Sequence, residues 1–222
     1  MVTEAEQTKP TLEIDVMSDV VCPWCYIGKR KLDLACAEFP EITFDIRWRA
    51  FQLDPTIPPE GMDRHDYLAR KFGAEKIASF HERIAAAGAE AGIPFAFDSI
   101  TRSPNTLDAH RLIRWSHAKH KQHEVVERLF RLYFVEGQDL GNRDLLVSVA
   151  EEFGLDGALV RRLLDDGTDV GSVREEVATA ARMGVSGVPF FIFGGRLAVS
   201  GAQPVHVLVD AIKRAVGETE VG

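Results

Sequence analysis

The sequence has few cysteines, no long apolar run and no excess of basic residues. Three cysteines in 222 residues are too few for a scaffold held together by disulfides. No apolar run approaches the roughly 20 residues that a membrane-spanning helix needs. The formal net charge of -8 argues against a nucleic-acid partner, because such proteins usually present a basic surface. We therefore expect neither a membrane nor a nucleic acid among the partners.

Residues 1–17 also lack the apolar core and the small-residue cleavage site of a secretory signal. We therefore expect a cytoplasmic protein, in which a close pair of cysteines is more often catalytic or metal-binding than structural. The content of 45% hydrophobic and 27% charged residues is typical of a chain that folds around a substantial core.

Alternating polar and apolar residues predict strands near both ends of the chain. The segments "TLEIDVM" and "ITFDIRWRAF" flank a helical pattern that begins at Pro23, which indicates a β-α-β unit with two parallel strands. Near the other end, Gly194-Gly195 separates two short strand-like runs, and helical patterns lie on either side of them. Between the proline-rich "LDPTIPPEG" and Asp166 we predict helices only.

The sequence thus predicts an α/β fold that is interrupted by an all-helical insertion. We assign residues 11–57 to the first part of the α/β domain, residues 58–166 to the insertion and residues 167–217 to the second part of the α/β domain.

The segment "SDVVCPWCYIGKRKL" places Cys22 and Cys25 where the first strand gives way to a helix. A zinc site would need four ligands, and the three histidines of "HAKHKQH" lie far away in the insertion, on what we interpret as a solvated helix face. We therefore expect no metal. A structural disulfide across so short a loop would remove little chain entropy and would be reduced in the cytoplasm.

Redox chemistry fits the position of this pair better. Unpaired backbone N–H groups and the helix dipole stabilise a thiolate at the start of a helix, where we expect Cys22 to be exposed. Pro23 suits the first helical position because its missing N–H would be unused there. Cys22 can attack a substrate disulfide, and Cys25, turned into the domain, can resolve the mixed disulfide. A CxxC pair in a βαβ context is typical of thioredoxin-like redox proteins, and it needs no cofactor.

The third cysteine, Cys36, is predicted to be a small buried side chain. It lies about 16 Å along the helix axis from Cys25, whereas a disulfide requires α-carbons within roughly 7 Å. We therefore exclude Cys36 from the reactive pair.

The segments "SDVVCPWCYIGKRKL", "GVSGVPFFIF" and "VSGAQP" resemble the FrnE-like branch of the DsbA family of thiol-disulfide oxidoreductases. The resemblance covers nearly the whole chain. It implies a thioredoxin-like fold with a helical domain inserted after the second strand, with Cys22 as the nucleophile and Cys25 as the resolving thiol.

The same resemblance implies a substrate site around the pair. Val188-Pro189 is expected to be a cis peptide that binds extended substrate backbone, and Pro23 and Trp24 are expected to contribute to the same site. DsbA itself is periplasmic and has Pro-His between its cysteines, whereas this chain has Pro-Trp. The expected partners are protein or small-molecule thiols and disulfides, and glutathione stays open as a co-substrate.

Two alternatives remain at this point. The kappa-class glutathione transferases and the 2-hydroxychromene-2-carboxylate isomerases share the inserted helical domain, but they typically have serine where this chain has Cys22. A serine can only activate bound glutathione, whereas two cysteines can themselves be oxidised. The other alternative is a chaperone-like binding module without catalysis, which would use a groove between the domains.

Overall fold

The computed structural model describes residues 9–217. Two sheets are present in this part of the chain. The strands are β1 (Thr11–Ser18), β2 (Thr43–Ala50), β3 (Met62–Asp63), β4 (Arg102–Ser103), β5 (Phe190–Phe193) and β6 (Leu197–Ser200).

Most of the helices lie between β2 and β5. The first helix lies between β1 and β2, and the last helix follows β6. They are α1 (Pro23–Ala37), α2 (Arg64–Phe72), α3 (Ile77–Glu90), α4 (Leu107–Ser116), α5 (Gln122–Phe134), α6 (Arg143–Glu152), α7 (Gly157–Asp165), α8 (Val170–Arg182) and α9 (Val205–Gly217). None of the helices in residues 9–217 is both long and apolar enough to cross a membrane.

The main sheet has the strand order β2-β1-β5-β6. β1 and β2 are parallel, as the β-α-β pattern predicts, and β5 pairs antiparallel with both β1 and β6. Strands from both ends of the chain therefore lie side by side at the centre of the sheet, with the helical segment inserted between them. This confirms the predicted α/β class with its helical interruption; the residue boundaries of the domains stay a prediction.

The expectation of helices alone between residues 62 and 166 is wrong in one detail. β3 and β4 form a separate antiparallel pair, with Met62 opposite Ser103 and Asp63 opposite Arg102. Each strand has two residues, which is too short for an alternating pattern to show in the sequence.

Alternation along β5 divides the apolar side chains between the two faces of the main sheet. Phe191 and Phe193 are buried in the large core, together with side chains of α1, α5 and α9. Phe190 and Ile192 point to the other face, where they pack, partly exposed, on a small second cluster. β1 ends at Ser18, and the short loop that follows leads from this core to Cys22 and helix α1.

Candidate active site

Cys22 is the residue that begins helix α1. Its backbone is extended, with φ -94° and ψ 112°, and Pro23 follows as the first helical residue, as predicted. The amide of Cys22 donates to the carbonyl of Asp19 over 2.9 Å, and the Cys22 carbonyl accepts from the amide of Cys25 over 3.0 Å. A tight turn at the end of β1 thus fixes the Cys22 sulfur at the amino end of the helix.

The prediction that Cys22 is exposed is wrong, because its residue surface is only 4% accessible. Its sulfur lies 3.7 Å from the carbonyl oxygen of Val188 and donates a hydrogen bond to it. The segment before β5 therefore covers the start of α1. The resemblance implied that Val188 lies near the cysteine pair, but not that it buries Cys22; no local pattern could show this, because the two residues are 166 positions apart.

The Val188-Pro189 peptide bond is cis, as the resemblance implied. The Pro189 ring packs on α1 at Gly28, where an added β-carbon would lie 2.7 Å from the proline Cγ. The fold thus brings Val188 and Pro189 to the helix that carries the two cysteines. Pro23 and Trp24 are half-buried in the first turn of that helix.

Cys25 lies behind Cys22 and is fully buried. Burial raises the pKa of the Cys25 thiol well above its usual value, and the hydrogen bond and charge of Cys22 raise it further. The nearby Ser18 hydroxyl and Asp19 backbone act in the opposite sense but are smaller effects. In the reduced protein, Cys25 therefore keeps its proton at neutral pH. All three cysteines are free thiols in this structure.

A buried polar pair that the sequence reasoning missed lies beside the cysteine loop. Asp19 is 1% accessible, and its Oδ2 accepts from the amide of Leu53 over 2.8 Å. Its Oδ1 lies 3.4 Å from Nε2 of His110, a buried residue of α4. The proximity of Asp19 to Cys22 in the sequence could have drawn attention to it. His110 comes from the inserted helices and carries no local signal.

A second polar network ties α1 to α5. Lys29, whose side chain is 3% accessible, lies 2.9 Å from a carboxylate oxygen of Asp33 and 3.1 Å from one of Glu127. Nε2 of His123 is 2.7 Å from Asp33, and its Nδ1 is 3.3 Å from the indole nitrogen of Trp48. Because indole only donates, Nδ1 is the acceptor, so Nε2 carries the hydrogen that is donated to Asp33.

This network corrects the interpretation of "HAKHKQH" as a solvated helix face. His117 lies in a short 3-10 turn and His120 directly follows that turn, and both are exposed. His123 is half-buried in α5, against α1 and β2. Among residues 9–217, no group of three histidine, cysteine, aspartate or glutamate side chains is arranged to hold a metal ion.

Comparison with known proteins identifies the family. The model of the DSBA-like thioredoxin domain matches residues 13–213. The chain belongs to this family. A solved structure described as a probable DsbA oxidoreductase of Streptomyces coelicolor is 29% identical, with a TM-score of 0.84 over 93% of this chain and 91% of its own. The fold is therefore thioredoxin-like, with the helical insertion of DsbA-type proteins.

Two solved structures of lower identity share the fold of this DSBA-like protein. A 2-hydroxychromene-2-carboxylate isomerase is 17% identical, with a TM-score of 0.71 over 95% of this chain and 99% of its own. The cytosolic disulfide reductase DsbM of Pseudomonas aeruginosa is 20% identical, with a TM-score of 0.62 over 94% of this chain and 97% of its own. DsbM has also been solved with glutathione. The same fold thus occurs in proteins described as a disulfide reductase and as an isomerase.

Proposed function

We propose that this DSBA-like protein is a thiol-disulfide oxidoreductase in which Cys22 is the nucleophile and Cys25 the resolving thiol. One observation carries the proposal: Cys22 begins helix α1 with its sulfur at the Val188 carbonyl, and the buried thiol of Cys25 lies directly behind it. The amino end of a helix favours negative charge on a side chain placed there. A thiol behind it can complete an exchange that the first thiol begins.

In the reductive direction, the Cys22 thiolate attacks one sulfur of a substrate disulfide. A bond forms between Cys22 and that sulfur, the substrate S–S bond breaks, and the other half leaves as a thiolate that takes up a proton. Cys25 then loses its proton and attacks the Cys22 sulfur, which releases the second substrate thiol. The substrate gains two electrons and the protein is left with a Cys22–Cys25 disulfide, which two molecules of a small thiol such as glutathione can reduce again.

The surroundings of the pair favour two classes of substrate. Val188 precedes the half-exposed Phe190 and Ile192, which offer apolar contacts to an extended protein segment. A small disulfide such as a glutathione mixed disulfide is the other class, and the DsbM structure with glutathione supports testing it first. We place the reaction in the cytoplasm, where small thiols would keep the pair mostly reduced.

The test is to trap the mixed disulfide. With insulin or a glutathione mixed disulfide as substrate, Cys22→Ser should abolish reduction. Cys25→Ser should attack once and stall, leaving a covalent adduct on Cys22 that mass spectrometry detects. Cys36→Ser is the matched control and should behave as the wild type. Full exchange activity in Cys22→Ser would refute the proposal.

The same variants separate the alternatives. A transferase or isomerase that uses bound glutathione as its nucleophile would keep much of its activity in Cys25→Ser and would accumulate no adduct on the protein. A non-catalytic binding module would keep its function in the double Cys22→Ser, Cys25→Ser variant.

A further inference from the structure

A cavity of about 870 Å³ lies between the edge strand β2 and helices α4, α5, α7 and α8. This volume lies within the range of about 300–1,000 Å³ that is typical of small-molecule sites. Neither cysteine of the CxxC pair lines it, and neither do Val188 and Pro189. Ser18 and Val20, which come shortly before Cys22, do line it, so the cavity adjoins the redox pair without including it.

The floor of the cavity is apolar and aromatic. Trp48 and Ile113 are buried there, and Trp115 adds a half-buried indole face. Leucine and valine side chains of α7 close the opposite wall. Two indole rings and branched side chains of this kind favour a flat or branched apolar ligand.

The edge strand at this cavity is not open to an added peptide strand. The outward amide of Trp48 donates to Oε1 of Gln122, and that of Ala50 donates to Oε2 of Glu176. Both amides that an incoming strand would use here are thus satisfied by side chains of α5 and α8. The occupant is therefore a small molecule rather than an extended peptide.

Basic side chains predominate around the cavity although the protein as a whole has a formal charge of -8. The charged residues of the lining are Arg47, Arg49, Arg114, Lys119, Asp156 and Glu176. Asp156 accepts from the first turn of α7, and Glu176 lies 3.1 Å from Arg114. The three arginines are also paired with carboxylates: Arg47 with Asp45 and Glu13, Arg49 with Asp15, and Arg114 with Glu176 and Asp169. Lys119 is exposed and has no partner among residues 9–217.

A buried histidine adds a polar group to the floor. His110 is 4% accessible and lines the cavity. Its Nε2 faces Asp19 at 3.4 Å but forms no hydrogen bond with any residue in the described part of the chain. The cavity thus combines an apolar floor, one buried imidazole and, among its described lining residues, an unpaired lysine at the mouth.

We propose that this cavity binds an organic acid with an aromatic or branched apolar body, whose carboxylate lies at the mouth beside Lys119. The apolar body occupies the space between Trp48, Ile113 and Trp115. The site adjoins the loop that leads to Cys22 but includes neither cysteine, so its ligand is not the disulfide that Cys22 attacks.

The test measures binding of 2-naphthoate and of its uncharged analogue 2-naphthamide by calorimetry. The protein is the full chain with both Cys22→Ser and Cys25→Ser, so that failure of the exchange chemistry cannot alter the result. We expect saturable binding of naphthoate and about tenfold weaker binding of naphthamide, since a hydrogen bond to a charged group contributes about that much. Equal affinity for the two probes, or no saturable binding of naphthoate up to about 1 mM, would overturn the proposal.

Two pairs of variants locate the site. Lys119→Gln should weaken naphthoate several-fold and leave naphthamide unchanged, whereas Arg131→Gln, which removes an exposed charge elsewhere, should affect neither. Ala118→Phe narrows the mouth and should weaken both probes at least about tenfold, because it removes the apolar contacts. Ala158→Phe, at an exposed position outside the lining, is its control. Wild-type affinity in Ala118→Phe would mean that the probe binds elsewhere.

Discussion

Gly28 of helix α1 gives Pro189 its place beside the cysteine pair. A β-carbon on Gly28 would lie 2.7 Å from Cγ of Pro189 and 3.2 Å from Cζ of Phe191. Real β-carbons essentially never approach another heavy atom as closely as 2.7 Å. The absence of a side chain at this one position therefore lets the Val188-Pro189 segment lie directly on the helix that begins with Cys22.

Gly28→Ala should consequently destabilise the fold, although alanine is the better helix former. The helix or the proline segment must shift, and overpacking of this kind costs about 1–3 kcal/mol of the free energy of unfolding. Because either shift moves the Val188 carbonyl relative to Cys22, the rate of disulfide exchange should also fall. Urea unfolding and an insulin reduction assay measure the two effects.

Gly171→Ala is the matched control for this substitution. Gly171 lies in helix α8 and no atom would meet its added β-carbon within 4 Å. Alanine there should stabilise the protein by up to about 1 kcal/mol through its helix propensity, with no change in exchange rate. A stabilised and fully active Gly28→Ala variant would refute the assigned role of Gly28.

Local patterns predicted most of the fold. The strands of the main sheet lie where the strand patterns placed them, and helices lie after Pro23, through most of the predicted insertion and on either side of the Gly194-Gly195 hairpin. The strands β3 and β4 were not predicted, because each has only two residues and an alternating pattern cannot be recognised in two residues.

Local patterns predicted the candidate site only where its residues are neighbours in the sequence, and the family resemblance added the cis Val188-Pro189 peptide. Cys22, Pro23 and Cys25 lie at the helix start as expected, since that geometry depends on local backbone conformation. The burial of Cys22 beneath Val188 and the pairing of Asp19 with His110 depend on contacts between distant parts of the chain. No pattern in a single sequence specifies which distant side chains will meet.

The network around Lys29 should make Asp33 important for stability at neutral pH. Burial alone would raise the pKa of Asp33, but the hydrogen bond from His123 and the charge of Lys29 outweigh it and hold that pKa below the usual value. Asp33→Asn should therefore cost about 1.5–3 kcal/mol of unfolding free energy at pH 7, as expected for a lost hydrogen bond to a charged group. Urea titrations at several pH values measure this cost.

The pH dependence has a definite sign. Because the folded-state pKa of Asp33 is depressed, its contribution is fully present above the unfolded value near 3.8 and is lost as the pH falls below it. The difference between wild type and Asp33→Asn should therefore shrink as the pH is lowered from 5 towards 3. Glu175→Gln, at an exposed pair with Arg182, is the control and should change stability by less than about 1 kcal/mol at either pH. A pH-independent difference would contradict the assignment.

Cys36 is half-buried in α1, not fully buried as predicted, yet its thiol should be almost unreactive in the folded protein. Burial, and to a lesser degree the charge of Asp33, raise the pKa of its thiol from 9.0 to about 12. At pH 8 the thiolate fraction is then about a thousandfold smaller than for an unperturbed cysteine. In the Cys22→Ser, Cys25→Ser background, alkylation by iodoacetamide should be slower by about this factor in buffer than in denaturing urea. Similar rates in the two conditions would show that Cys36 is accessible.

The redox potential of the Cys22–Cys25 pair should be moderate. Trp24, which lies between the two cysteines, carries no charge that could stabilise a thiolate. DsbA is a strong oxidant at about −120 mV since its reduced form is stabilised, and a polarisable histidine between its cysteines contributes to that. Here Trp24 takes that place, and the buried Cys25 keeps its proton. Equilibration with glutathione should give roughly −180 to −250 mV.

Trp24→His should shift the potential towards more positive values by on the order of 30 mV, the equivalent of about one pKa unit. Trp24→Phe is the control and should leave the potential unchanged. A wild-type value as positive as that of DsbA would mean that another group stabilises the Cys22 thiolate.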